Sequence, residues 1–320
     1  MAKMNKAREL LIKEYVESLE QEQLPWNHPW GHSNAVTGHK YRGVNNLLLN
    51  VVAERYGYSG TRWCTFAQIA DRENKLHPDA KWHLKKGSKG FPIEYWSTYN
   101  TKERKNYSFR EFEKIVKANP EREDEFRLVA RCFTVFNEDC IEGIEPQKHT
   151  KNDIKTSKTV EKIITNMDVG YKEEGKRAFY RPSTDTVTVP PRECFFSEDG
   201  YQAVRLHELS HATGHYSRLD RNIENYFGTP EYAKEELRAE ISSSFLMQDL
   251  NLAYNEYEEL NSDVHVAYIQ SWISILKNDP NELFKAIKDA ENIVEYMEEK
   301  GEITKELQDV EKNPEPDIEM

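Results

Sequence analysis

Leu10, Leu11, Tyr15, Val16 and Leu19 recur at helical spacing, which predicts an amphipathic helix over 3–22. Pro25, Pro29 and Gly31 break it, so His28 and His32, four residues apart, cannot act as a helical metal pair. Residues 37–49 predict a loop that exposes Tyr41 and Arg42 and opens at Asn45 or Asn46 into a buried helix. A helix or strand–helix unit is expected from Trp63, and 82–96 predict a basic, glycine-rich hairpin running into a strand. The charged stretch 98–126 carries a helix near 109–118, and 127–137 form a strand. Residues 146–156 lack apolar periodicity and predict a linker. Beyond it come a helix at 157–168, a hairpin at 179–190 turning at Ser183-Thr184-Asp185, and helices at 230–246, 263–277 and 280–299. In the first of the last two, Tyr268, Trp272, Ile275 and Leu276 mark a buried face. The fold class is α+β in two domains, 1–145 and 157–305. The second is mainly helical with a small hairpin or sheet, and 306–320 form an acidic tail expected to be disordered.

Composition changes this picture little, but charge changes it more. The 320 residues are 38% hydrophobic and 31% charged, enough for a sizeable core and about two domains. No apolar run approaches a membrane span. Cys64, Cys132, Cys140 and Cys194 form no Cys-x-x-Cys pair, and the start does not resemble an export signal, so reduced thiols in a cytoplasm are expected. Net charge is −12, which by itself argues against a nucleic-acid partner. Residues 1–150, however, hold 24 Lys and Arg against 21 Asp and Glu, and 55–110 hold 12 against 5. The excess acid therefore lies in the second half.

The chemistry concentrates in Arg205-Leu206-His207-Glu208-Leu209-Ser210-His211-Ala212-Thr213-Gly214-His215. On a helix that starts at an N-cap Ser197 and is stopped by Gly214, His207 and His211 share a face and can offer two imidazoles to one zinc ion. Glu208 follows the first ligand and is the candidate general base of a peptidase. Such a site needs a third protein ligand and an open position. The next strong helix offers Glu236 as that ligand and, one turn on, Glu240 as acceptor for a ligand imidazole N–H. Slim Ala239, Ser243 and Ser244 would let it pack closely on the histidine helix, whereas Glu235 fits an exposed acidic face with Lys234 and Arg238. His215 is placed near the site, on its substrate side or as support. Tyr180, His215 and Tyr232 are candidate oxyanion donors, and Thr186–Val189 is the candidate strand for pairing with an extended peptide.

In the first half, tryptophans (Trp26, Trp30, Trp63, Trp82, Trp96) interleave with cations. Aromatic faces that stack bases, with Lys and Arg following phosphates, suit single-stranded nucleic acid. Tyr41, Arg42, Asn45, Trp63, Lys85, Lys86 and Lys89 are the candidate contacts. Any one tryptophan is more readily explained as core.

As a set these residues resemble a known family. Pro25-Trp26 through Trp30, Thr37-Gly38 with Tyr41-Arg42-Gly43-Val44-Asn45, Trp63 to Gln68 and Lys86-Gly87-Ser88-Lys89-Gly90 are similar to the N-terminal domain of ArdC-type antirestriction proteins, shared with TraC-type primases. The His207–His215 stretch, Ser217-Arg218-Leu219-Asp220-Arg221 and Glu235-Glu236-Leu237-Arg238-Ala239-Glu240 are similar to that family's metallopeptidase domain. The resemblance implies binding of single-stranded DNA, a zincin-like peptidase domain, and carriage on a mobile element whose incoming DNA is protected from host restriction. The peptide substrate is not implied; a restriction-system component is one candidate. Two other readings remain: a regulatory protease that cleaves a repressor, and a DNA-coating protein with an inactive zinc site.

Overall fold

The computed structural model describes residues 4–21, 31–71, 75–76, 81–145, 153–223, 228–252 and 262–303. Trp26, His28, Trp30 and the tail 306–320 lie outside the described residues.

Local sequence accounts for most helix ends. Asn5 caps α1 (Lys6–Glu20), accepting from Arg8 N. Gly57, at φ 67, closes α2 (Gly43–Tyr56) in the left-handed region that only glycine enters freely. Thr65 and Gln68 form a capping box on the single turn α3 (Phe66–Ile69), and Ser108 and Glu111 form another on α4 (Phe109–Ala118).

The first sheet has the order β1-β2-β6-β4-β5. Its members are β1 (Ser33–Asn34), β2 (Arg62–Thr65), β4 (Phe91–Asn100), β5 (Lys105–Tyr107) and β6 (Phe126–Asn137). Strands β4 and β6 pair antiparallel from Phe91↔Val135 to Asn100↔Phe126, so the stretch expected as a charged insertion extends the sheet. β2 meets β6 only at Val135–Asn137. The expected hairpin at 82–96 is not one. β3 (His83–Leu84) pairs with β7 (Ile141–Glu142), and the basic turn merely passes from there to β4.

The second half begins with α5 (Asp153–Met167), inside the span expected as a linker. A three-stranded sheet follows, ordered β8 (Gly170–Glu173), β10 (Thr186–Val189), β9 (Phe179–Arg181). The hairpin turns where expected, but β10 is the central strand, parallel to β8 and antiparallel to β9. Both its edges are occupied, so Thr186–Val189 cannot capture a peptide by edge pairing. Then come α6 (Glu198–Ala212), α7 (Pro230–Asp249), α8 (Ser262–Asn278) and α9 (Asn281–Gly301). Helix α7 packs against α6, α8 and α9. Ala239, Ser243 and Ser244 are buried, as close approach requires.

One hydrophobic cluster joins the two halves, from Leu11, Tyr15 and Leu47 through Leu206 and Leu237 to Trp272 and Ile287. Helix α1 lies on α2 and also on α8. Where α2 meets α7 and α9, a cavity of about 340 Å³ is lined by Lys40, Arg42, Asp249, Glu291 and Glu298, among others. Among the described residues, no helix is long and apolar enough to cross a membrane.

Candidate metal centre and nucleic-acid face

Ser197 accepts from Gly200 N at 2.9 Å and starts α6, as expected. Buried Arg205 anchors the helix: it lies 5.0 Å from the centroids of both Tyr171 and Tyr201 and bonds Glu161 on α5. Gly214 follows the helix end, but not in a left-handed conformation. A Cβ there would meet Ile223 Cγ2 at 2.5 Å, so glycine is needed for the loop to fold back. That return loop carries Arg218 and Arg221.

His207 and His211 point the same way from α6, their Nε2 atoms 3.2 Å apart. Glu236 of α7 faces both, with Oε2 3.5 Å from His207 Nε2 and Oε1 3.6 Å from His211 Nε2. Donor atoms of these three residues all lie within 4.8 Å of one another. Four ligands at zinc–nitrogen and zinc–oxygen bond lengths stand about 3.4 Å apart along each tetrahedron edge. The observed separations fit that figure, and two neutral imidazoles with one carboxylate are a suitable donor set.

The other ring nitrogens are also engaged. His207 Nδ1 faces Glu240 Oε1 at 3.6 Å. His211 Nδ1 faces Glu235 Oε1 at 3.4 Å. Glu235 is buried and does not join an exposed acidic face; Arg221 bonds it at 2.7 Å, while Arg238 bonds Glu282 and Asp289 instead. Arg221 ends the Ser217–Arg221 motif, but its pairing with Glu235 and the burial of two adjacent glutamates together are not visible in a sequence pattern. The Tyr232 hydroxyl, one turn before Glu236, bonds that carboxylate, and its ring stacks on Tyr268 at 5.7 Å.

Burial would push the His207 pKa down, but Glu240 and Glu236 outweigh it and hold it above its ordinary value. Burial is outweighed likewise at His211, chiefly by Glu236 and Glu235. Glu236 is held well below the usual carboxylate range, its burial offset by His211 and His207. Buried Glu208, on the same helix, goes the other way: desolvation raises it, and the two histidines offset only part of the rise.

His215 sits apart from this group. It bonds Ser217 at 2.7 Å and faces Asp185 at 3.8 Å, beside the Arg218–Asp185 pair that ties the β9–β10 turn to the ends of α5 and α6. Tyr180 donates its hydroxyl to Asp185. Of the three oxyanion candidates, Tyr232 bonds a candidate ligand, whereas Tyr180 bonds Asp185 and His215 bonds Ser217.

The nucleic-acid candidates are scattered. Trp63 is fully buried and donates its indole N–H to His32 Nδ1 at 3.0 Å, so it offers no stacking face. Tyr41 is buried, contrary to the exposed loop expected, though Arg42 beside it is exposed. The Asn45 amide clamps β4, donating to Glu94 O at 2.7 Å and accepting from Glu94 N at 2.8 Å. Lys85, Lys86 and Lys89 are exposed, but Lys85 bonds Asp139 O and Lys89 covers the Tyr56 ring at 4.1 Å.

With the geometry in place, comparison with known proteins is informative. A model of the N-terminal domain of anti-restriction factor ArdC matches residues 5–136, and a zincin-like metallopeptidase model matches 158–289. The crystal structure of antirestriction protein ArdC from plasmid R388, in its metal-free form, superposes with a TM-score of 0.68 at 26% identity, covering 93% of this chain and 98% of that one. The chain belongs to the ArdC-type family. An uncharacterized protein, y4eC of Sinorhizobium fredii, is 31% identical over 86% of this chain and 84% of its own length. A DNA primase TraC of Escherichia coli is 36% identical over 90% of the chain, but the match spans only 20% of that primase; for a second such primase it spans 27%. The chain thus spans only part of the length of those primases.

Proposed function

We propose that the protein binds single-stranded DNA through its N-terminal unit and cleaves protein through a zinc peptidase site in its C-terminal unit, acting in the cytoplasm to protect incoming mobile-element DNA from restriction. The observation that carries the peptidase reading is the convergence of His207, His211 and Glu236, with the two Nε2 atoms 3.2 Å apart and each 3.5–3.6 Å from one oxygen of the Glu236 carboxylate, and with buried Glu208 one residue from a candidate ligand. A structure of the R388 relative is described as Mn(II)-bound, which supports a divalent metal as occupant here.

A zinc ion so held would supply Lewis acidity and acidify a water. Glu208, raised by burial and one residue from a candidate ligand, is placed to serve as the proton carrier: as general base it would accept a proton from the nucleophile, and as general acid it would return it to the leaving amine. The Tyr232 hydroxyl, donated to Glu236, would steady that ligand. Glu240 and Glu235 orient the two imidazoles. A purely coating protein has no need of a base beside its ligands, and this favours the peptidase reading.

The test is to incubate metal-loaded protein with host extract, with and without single-stranded DNA, and map new peptide termini. Glu208→Gln should keep metal and DNA binding and lose about 10²–10⁴ of the cleavage rate. Identical termini from parent and variant would sink the peptidase reading. Loss of restriction protection in the variant would assign that protection to proteolysis.

A further inference from the structure

We infer that single-stranded DNA lies on one face of the β4–β6 ladder, with bases stacked on Tyr95 and its neighbours and phosphates held by Arg127 and Arg131. The inference rests on the reading of the N-terminal unit as a single-stranded-DNA binder, and moves the contact surface away from the basic turn at 85–89.

The register defines the face. Tyr95 is directly opposite Arg131, and Tyr99 opposite Arg127. Directly opposed residues of an antiparallel pair share a face, and so do residues two apart along a strand. Tyr95, Tyr99, Phe133, Arg127 and Arg131 therefore stand on one surface. Both arginines are exposed, Tyr95 is 37% exposed, and Tyr99 and Phe133 are partly exposed. The Phe133 ring meets the Tyr95 ring edge-on at 6.1 Å. On the other face, α4 covers the far end of the ladder, where Phe112 packs on Phe126.

Charge selects the occupant. From Ile93 to Tyr99 and Arg127 to Phe133, none of the eight side chains on this face is acidic, in a chain of net charge −12. A guanidinium opposite an aromatic ring, repeated once, offers a cation for a phosphate and a π-face for a base. The two pairs are four residues apart, about 13 Å along the strand, which leaves room for a base at each tyrosine. By contrast, Trp63 is buried, and Lys89 lies over the Tyr56 ring.

The test uses the full chain and a fluorescently labelled oligo-dT, read by anisotropy at several salt concentrations. The parent should bind. Arg127→Glu with Arg131→Glu should weaken binding at least tenfold and flatten the salt dependence. Tyr95→Ala should lose about tenfold and Tyr95→Phe little, since stacking needs only the ring. Tyr95→Trp should report directly, its fluorescence falling as oligo-dT is added. Both arginines are exposed, and an unchanged melting temperature would confirm that their replacement leaves the fold intact. If Lys85→Glu with Lys86→Glu abolishes binding while the face variants bind like the parent, the face assignment is overturned and the N-terminal reading survives. If the parent binds no oligo-dT at low salt, the N-terminal reading itself fails and the face falls with it. A dimeric parent made monomeric by the arginine variants, with DNA binding unchanged, would assign the face to a second copy and overturn the inference.

Discussion

Glu235 and Glu236, adjacent on α7, hold the two nitrogens of one imidazole: Glu235 Oε1 lies 3.4 Å from Nδ1 of His211, and Glu236 Oε1 lies 3.6 Å from Nε2. Arg221 bonds Glu235 and also the Ser210 carbonyl and the Thr213 hydroxyl, so the orienting carboxylate is itself fixed to the end of α6. His207 has a similar arrangement with Glu240 and Glu236.

Glu235→Gln keeps the size of the side chain and removes its charge. Metal affinity should fall about 10–100-fold, the usual effect of losing an outer partner of a ligand histidine. Competition against a chromophoric chelator measures this. An affinity equal to the parent's would remove Glu235 from the site.

Glu236 and Glu240 should behave differently although they are one turn apart. Native mass spectrometry should find about one metal per chain in the parent, as one tetrahedral site requires, and none in His207→Ala or His211→Ala. Glu236→Ala should lose nearly all of it, and Glu240→Ala only part. The opposite order would exchange their roles.

Chelation should weaken the protein without unfolding it. Leu206 and Leu209 of α6 and Leu237 and Ile241 of α7 are fully buried in the common core, so these helices do not depend on a metal to stay packed. Binding to the native state stabilises by mass action, so removing the metal should lower the melting temperature by several degrees, about 2–4 °C for each kcal/mol lost. Scanning calorimetry with and without chelator measures the drop, and His207→Ala should show none.

Glu298 should make stability fall as pH rises. Burial, with Asp249 beside it, raises its pKa from 4.5 to about 7 against the pull of Arg42 and Lys40. A carboxyl raised by folding opposes folding once it must ionise, so its cost is absent below pH 4.5, grows between 4.5 and 7, and is full above. Glu298→Gln should therefore raise stability at pH 8 by on the order of 1–3 kcal/mol and change little at pH 4.5. Urea melts at both pH values test this; an equal effect at the two would contradict it.

The histidine helix was legible because its information is local. Four-residue spacing places His207 and His211 together whatever the rest of the chain does, and Glu236 with Glu240 repeats that spacing on α7. Glu235 was not legible, because only packing can turn both of two adjacent glutamates inward. Strand β8 escaped notice because Tyr171-Lys172-Glu173 is mostly polar and lies at a sheet edge. Pairing across the chain is equally invisible: it is why β10 proves central, why His83–Leu84 joins β7, and why Tyr95 faces Arg131. The helical spacing of α1 was clear, but not that α8 would cover it.

That last contact has a consequence for synthesis. Helix α1 rests partly on α8, and Lys277 near the end of α8 reaches Glu20 across 257 residues of sequence. At the usual 5–20 residues per second, a ribosome needs about 13–50 s to deliver that partner. Throughout that time the first helix has been made but lacks part of its final packing surface. The native arrangement of α1 can therefore be completed only after α8 has been made.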